Sequence, residues 1–594
     1  MASQAPQKVY QQRQAHWSGE IARHERRHLL VSNLRLALVG LVALLLWFAL
    51  SPRSISLGWT LVPLAAFAAL VVVHARVLNE RDRSERAKAY FDRGQSRLDE
   101  TWRGNGADGA RFIGDHPYAR DLDLFGEASL FQLLNTTRTE AGEETLARWL
   151  KEPAAVDTIA ARQGAVAELR GHLEFREAMA IFAAETRLSR TGSLAAWAGI
   201  APAGLTALHG GLFAVAGVWS ALTAVATWYE WIPLSVAVIA FGLSGAVAYA
   251  WRQSVHQALR GVDAAADDLG LLAGLLARVE GATFTAPRLR TLHSVLVTDG
   301  LPPSKQIARL QWYLAARDSV RNEFVRPFAM LLQVRGQSAV AIDRWHAAHR
   351  ADLGRWLDTV GELEALCALA TFAFEHPDDP FPVVDDGAPH LSAAGLAHPL
   401  LPAATAVAND VRLGGDAPHL LIVSGSNMSG KSTLLRSIGI NAVLAFAGAP
   451  VRARSLSLSR LTPGATLRVQ DSLDEGQSRF YAEILRIRDI VSTARNTPTL
   501  FLLDEILHGT NSHDRRIGAE AIVMSLLEAG AIGIVTTHDL ALTALADRLG
   551  ARARNVHFED TLENGTLTFD YQMRDGVVTR SNAIELMRAV GISV

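Results

Sequence analysis

Residues 419–440 read HLLIVSGSNMSGKSTLLRSIGI. This stretch runs from an apolar segment through a glycine loop into a helix-like segment, with Gly425, Gly430, Lys431 and Ser432 in G-x-x-x-x-G-K-S register. A strand, a phosphate-binding loop and a helix in that order predict a parallel α/β nucleotide-binding fold. The residue types carry the chemistry. Glycines let backbone N–H groups close on phosphate oxygens, the helix N-terminus adds its dipole, Lys431 reaches the β and γ phosphates of ATP, and the Ser432 hydroxyl ligates Mg2+. The expected ATP contacts are therefore Gly425, Ser426, Asn427, Met428, Ser429, Gly430, Lys431, Ser432 and Thr433.

Two apolar runs downstream end in groups that complete such a site. TLFLLDEI, from Thr499, ends in two carboxylates. Asp504 is expected to hold the metal with Ser432, and Glu505 to accept the proton of the water that attacks the γ-phosphate. AIGIVTTHD, ending at Asp539, places His538 where an imidazole can hydrogen-bond that phosphate. Alone, a carboxylate pair is often a solvated helix start and a histidine is usually structural. The three runs in this order favour catalysis by Glu505, Lys431 and His538. DSLDEGQSRFYAEI, 471–484, reads from its residues as an acidic turn with Ser478 as an ordinary helix cap, although a helix N-terminus can also bind an anion.

Upstream, EHPDDPFPVVDDG, 375–387, combines acidic residues with prolines and marks a boundary loop. Beyond it, short β-rich runs alternate with helices over 390–594. Before it, 121–192 and 255–370 show helical periodicity, so 121–385 is expected to be an all-α unit, joined by a linker at 78–120.

The N-terminal half holds two pairs of apolar segments. Residues 29–50 and 57–77 each match the ~20 residues that cross a bilayer, predicting a transmembrane hairpin over 29–77 behind a cytoplasmic tail, 1–28. A cleaved secretory signal is the competing reading; the second apolar segment and the lack of an A-x-A site argue against it. A second hairpin is expected at 204–250, with TWYEW at its tip as an interfacial belt; a buried helical hairpin is the alternative. Arginines flank the outer ends of both hairpins, among them Arg26, Arg27, Arg76, Arg81, Arg187 and Arg252, while the linking turns hold only Arg53. This bias predicts a multi-pass protein of the cell (inner or plasma) membrane, with about four transmembrane helices in the lipid bilayer and the C-terminal domain in the cytoplasm. Arg35 lies near enough to its helix end to snorkel.

Global composition excludes other classes. Lys+Arg 58 against Asp+Glu 60 gives a net charge of -2, so no overall attraction to nucleic acid or anionic lipid follows. The single cysteine, Cys367, excludes an internal disulfide and a multi-thiolate metal site and reads as core filler. A mean hydropathy of +0.13 with 20% charged residues indicates apolar residues concentrated in particular segments.

Together the motifs resemble the MutS family of ABC-type ATPases over about 398–590. GSNMSGKST resembles the family's phosphate loop, with Asn427-Met428 as its distinguishing pair, DSLDEGQSRF its signature segment, LLDEILHGTN its metal strand, and VTTHD its histidine switch. HPLL and AVANDVRL resemble the segments that precede that loop. The resemblance implies a homodimer in which Ser478 acts in trans on the γ-phosphate bound by the other subunit, Asn409 and Asp410 near the nucleotide, and His508 to Asn511 at the dimer face. Departures are Ser426, Ser429, Arg479 and Leu507-His508; none removes an essential group. A fainter likeness covers 121–150, which resembles the start of the family's helical lever domain. Phe125-Gly126-Glu127 imitates its mismatch-reading wedge but lies at the lever's start. No mismatch-recognition domain is discernible before the levers, so DNA binding (mismatched or branched DNA, repair-related) follows from kinship alone, without a basic, aromatic-interleaved stripe to support it.

The expectation is thus a P-loop ABC-type α/β ATPase domain, preceded by an all-α lever domain carrying transmembrane helical hairpins. Its ATP- and Mg2+-dependent cycle would move the levers. The alternatives are an ATPase of a membrane transport or membrane-partner complex with no DNA role, or a scaffold switched by nucleotide alone. DEGQSRF lacks a transporter-like LSGGQ, and the intact Glu505 argues for hydrolysis.

Overall fold

A computed structural model of the chain describes residues 5–50, 56–183, 192–297, 300–321, 323, 325–426, 429–467, 479–507, 510–538, 540–563 and 566–578. Up to Glu375 the described elements are helical; from Val383 onward, strands and helices alternate. Among the described residues, ten strands form two sheets: β1 (Val383–Asp385), β2 (His390–Leu396), β3 (Asn409–Gly414), β4 (Leu420–Ser424), β5 (Ser455–Ser459), β6 (Thr462–Thr466), β7 (Thr499–Asp504), β8 (Ile532–Thr537), β9 (Ala553–Glu563) and β10 (Thr566–Asp575).

The larger sheet has the order β10-β9-β4-β8-β7-β6. Its inner pairs are parallel and β10 returns antiparallel on β9. β4 and β8 are buried at every position, which explains their unbroken apolar sequence: a parallel strand covered by helices on both faces has no solvent side to alternate with. The smaller sheet, β1-β5-β2-β3, precedes the nucleotide-loop strand in sequence except for β5.

The helix Val334–Glu375 is the spine of the helical region. At ~1.5 Å per residue, its 42 residues make a rod of about 63 Å. It is apolar on nearly every side over 359–373, as a helix enclosed by others must be. Gly361 lets the helix Glu140–Lys151 cross closely, since a Cβ there would stand 2.7 Å from the Ala141 carbonyl oxygen. One apolar core then continues into the α/β region: Leu122 and Leu502 close on Gly439 of the helix Lys431–Ala447. Cys367 is buried in this core, and burial pushes its thiol up to about 12.

Among the described residues, three helices are long and apolar enough to cross a membrane: Pro6–Leu50, the run Leu57–Leu98 and Ala207–Trp228. The bent pair Leu234–Ala250 and Arg252–Glu280, turning by 55°, would make a fourth. Tyr229 and Trp231 stack at the tip between the second two, 5.5 Å apart. The Arg35 guanidinium lies over the Phe67 ring, 5.2 Å from the centroid, and so faces the paired helix.

Candidate nucleotide site

β4 delivers the glycine loop to the carboxyl edge of the larger sheet, and the helix Lys431–Ala447 starts directly from it. Gly430 must be glycine on two grounds. Its φ is 103°, and a Cβ would stand 3.0 Å from Cδ1 of Tyr571, which covers the loop from β10. Lys431, 4% exposed, donates from Nζ to the carbonyls of Gly425 and Ser426, each at 2.8 Å. Ser429 Oγ donates to the Ser426 carbonyl at 2.8 Å, tightening the same turn.

The neighbouring strands bring the acidic groups. Asp504 ends β7 opposite Thr536 of β8, whose hydroxyl donates to Asp504 Oδ1 and accepts the Glu505 N–H at 3.0 Å. Glu505 Oε1 lies 3.3 Å from Lys431 Nζ and 3.1 Å from His538 Nδ1. The three residues expected to be catalytic thus meet at one carboxylate oxygen. Ser426, Gly430, Lys431, Ser432, Thr433, Asp504 and Glu505 line one cavity of about 600 Å³. A second space of about 20 Å³, bounded by Glu505, Thr536, Thr537, His538 and Arg515, has room for a single water molecule.

Sequence reasoning missed several neighbours. Thr536 was hidden within VTTHD, and its contact depends on β7–β8 register. Glu483, 6% exposed on the helix Arg479–Ala494, accepts the Leu507 N–H at 2.6 Å. The same cavity is also lined by His398, Leu401, Val407, Asn409, Phe558 and Tyr571. Asn409 fastens β10 there, its Nδ2 donating to the Tyr571 carbonyl at 3.0 Å while its Oδ1 accepts the Met573 N–H at 2.7 Å. Asp410 departs from expectation. Strand alternation turns it away from the cavity toward Arg454, at 3.2 Å, and the Gly395 N–H at 2.7 Å holds its carboxyl below the usual range. Burial and the charge of Arg436 push His398 down to about 4. Asn427, Met428, Ser478, His508 and Asp539 lie outside the described residues.

Comparison with known proteins fits this geometry. Residues 421–593 match the model of MutS domain V. Over this region the chain is similar to the MutS family. It is 33% identical over 252 residues to the DNA mismatch repair protein MutS of Shouchella clausii, covering 41% of this chain and 28% of that protein. It is 35% identical over 216 residues to the Endonuclease MutS2 of Thermomicrobium roseum, covering 36% and 26%. With the DNA mismatch repair protein MSH3 of Phaeosphaeria nodorum it shares 32% over 249 residues, covering 41% and 22%. The chain therefore spans less than a third of the length of these MutS relatives. The MutS domain V match contains Lys431, Asp504, Glu505, Thr536 and His538; His398 and Asn409 precede it.

Proposed function

We propose that the chain is a membrane-anchored MutS-like ATPase that binds ATP and Mg2+ in the 600 Å³ cavity, hydrolyses the nucleotide as a homodimer, and converts the cycle into movement of the helical region. The convergence of Lys431 with Asp504 and Glu505, from two sequence-distant runs, on one cavity carries the reading. Lys431 Nζ would exchange its loop carbonyls for phosphate oxygens by rotation alone. Glu505, held between Lys431 and His538, would accept the proton of the attacking water, with His538 bonded to the γ-phosphate. Tyr571 and Val407, which line the same cavity, suit the flat faces of the base.

The donors at the metal position fit Mg2+. Ser432 and Asp504 offer hard oxygens and leave room for phosphate and water, and the described residues contain no group of three His, Cys, Asp or Glu that would cage a different ion. When bound, the ion would neutralise charge developing on the transferred phosphate. Action of Ser478 in trans rests on family resemblance.

A DNA role is supported by the names of the relatives, which are DNA mismatch repair proteins and an endonuclease. The candidate spans favour the second reading, in which the ATPase drives a membrane-embedded partner without DNA. ATP turnover by the detergent-solubilised full chain, with and without duplex, mismatched and branched DNA, separates the two. Stimulation by DNA is expected under the first reading. Turnover indifferent to every DNA removes the DNA role and leaves the membrane reading.

A further inference from the structure

The segment joining the helix Pro303–Asp318 to the long rod turns at a knee, Val325–Leu332, whose short helix Arg326–Leu331 packs on the apolar helix Ala207–Trp228. Phe328 is 66% exposed and Met330 53%, with Val325 and Leu332 also exposed. The side of Ala207–Trp228 away from the protein is likewise apolar and open at Leu208, Val215, Val218 and Leu222. The knee therefore continues the same apolar belt.

Its backbone is fastened in a manner that suits burial in lipid. The helix cannot continue through Gln333, whose φ is 54°. The bend is covered by protein: the Leu332 carbonyl rests on Gly217, where a Cβ would come within 2.6 Å of that oxygen. Gln333 Nε2 donates to the Ser244 hydroxyl at 2.9 Å and to the Ser244 carbonyl at 3.3 Å. Irregular backbone survives at membrane depth only when protein covers it in this way. Below the bend, Phe213 closes on Gly336, and Asp343 accepts the N–H groups of Ala203 and Leu205 at 2.7 and 2.8 Å.

We propose that the knee Val325–Leu332 is a re-entrant, lipid-embedded element of the cytoplasmic leaflet, so that the rod begins inside the bilayer. The inference rests on the membrane reading of the 204–250 hairpin. Gly217 lies midway along a 22-residue helix, so the knee reaches no deeper than the middle of the span. Arg326 and Arg335, both exposed at its ends, would extend toward the cytoplasmic headgroup phosphates. Phe328 and Met330 then lie among acyl chains.

The test uses the full chain in vesicles of phosphatidylcholine and phosphatidylglycerol, with Cys367→Ala and an environment-sensitive fluorophore on Phe328→Cys, Leu222→Cys or Ser492→Cys. The Phe328→Cys label should be quenched by brominated lipid and protected from aqueous iodide, as the Leu222→Cys label is, whereas the Ser492→Cys label should show the reverse. Iodide quenching at 328 with lipid quenching at 222 overturns the proposal alone. Protection from both quenchers at 328 also overturns it, because a second protein then covers the knee. Iodide quenching at 222 overturns the membrane reading beneath it.

Discussion

Glu505 and Leu507 both occupy left-handed backbone, at φ 47° and 62°, a conformation costing roughly 1–3 kcal/mol at each non-glycine residue. Strain of that size persists only where neighbours fix it. Thr536 holds the Glu505 N–H and Glu483 the Leu507 N–H, so the helix Arg479–Ala494 is tied directly to the loop after β7. Glu483→Leu leaves that buried N–H unpaired. It should lower kcat about tenfold, equivalent to ~1.4 kcal/mol, with KM for ATP changed little. Glu483→Gln keeps an acceptor and should retain most of the rate. Wild-type kcat in the leucine variant would remove Glu483 as a positioning residue. His398 gives a pH signature. Its folded pKa of about 4 lies below the ordinary 6.5, so an unfolded chain takes up a proton that the fold refuses. Its contribution is complete above pH 6.5 and is lost as pH falls toward 4, by about 3 kcal/mol for one group. Thermal unfolding of the nucleotide-free protein at pH 7 and pH 5 should show a smaller pH drop in His398→Asn than in wild type; an equal drop contradicts this. At this scale Lys431, Asp504 and Glu505 were legible because loop register and strand ends place them locally. Glu483, Thr536 and Tyr571 were not, because their contacts exist only after distant strands and helices pair.

The elements repeat that division. Hydropathy and length exposed the apolar helices, and unbroken apolar runs exposed β4, β7 and β8. The rod's extent was less visible, since Gly336, Gly354 and Gly361 interrupt its propensity. Two of the three are tight contacts and one faces open space. Gly361→Val drives a side chain into the Ala141 backbone and should destabilise by about 1–3 kcal/mol. Gly354→Ala meets nothing within 4 Å and should stabilise by up to about 1 kcal/mol through helix propensity. Denaturation midpoints moving in the same direction for both would refute the assigned crossing.

Over the whole molecule, the rod carries both candidate membrane hairpins. The second is rooted at Gln333 and Asp343. The first is rooted at the opposite end, where Glu375 accepts the Tyr10 hydroxyl at 2.9 Å and Arg97 at 2.6 and 2.8 Å, beside the Tyr10–Phe374 ring contact. These groups are almost wholly enclosed, so removing one partner strands a buried charge. Glu375→Gln should cost about 3–5 kcal/mol and open residues 5–28 to limited proteolysis; an unchanged cleavage pattern contradicts this root. No sequence pattern announced it, because Tyr10 and Glu375 are 365 positions apart. Between the roots, the helices Glu140–Lys151 and Val156–Gly171 pack both on the rod and on the helix Lys431–Ala447, a continuous route from the candidate membrane hairpins to the candidate nucleotide site. Under the proposed function, hydrolysis at Glu505 drives this route. The most direct measurement is nucleotide binding and phosphate release by wild type and Glu505→Gln in detergent with Mg2+. The variant should bind ATP about as well as wild type while its phosphate release falls by roughly 10²-fold or more, the usual scale of a lost general base. A variant that binds ATP and releases phosphate at the wild-type rate would contradict that role of Glu505.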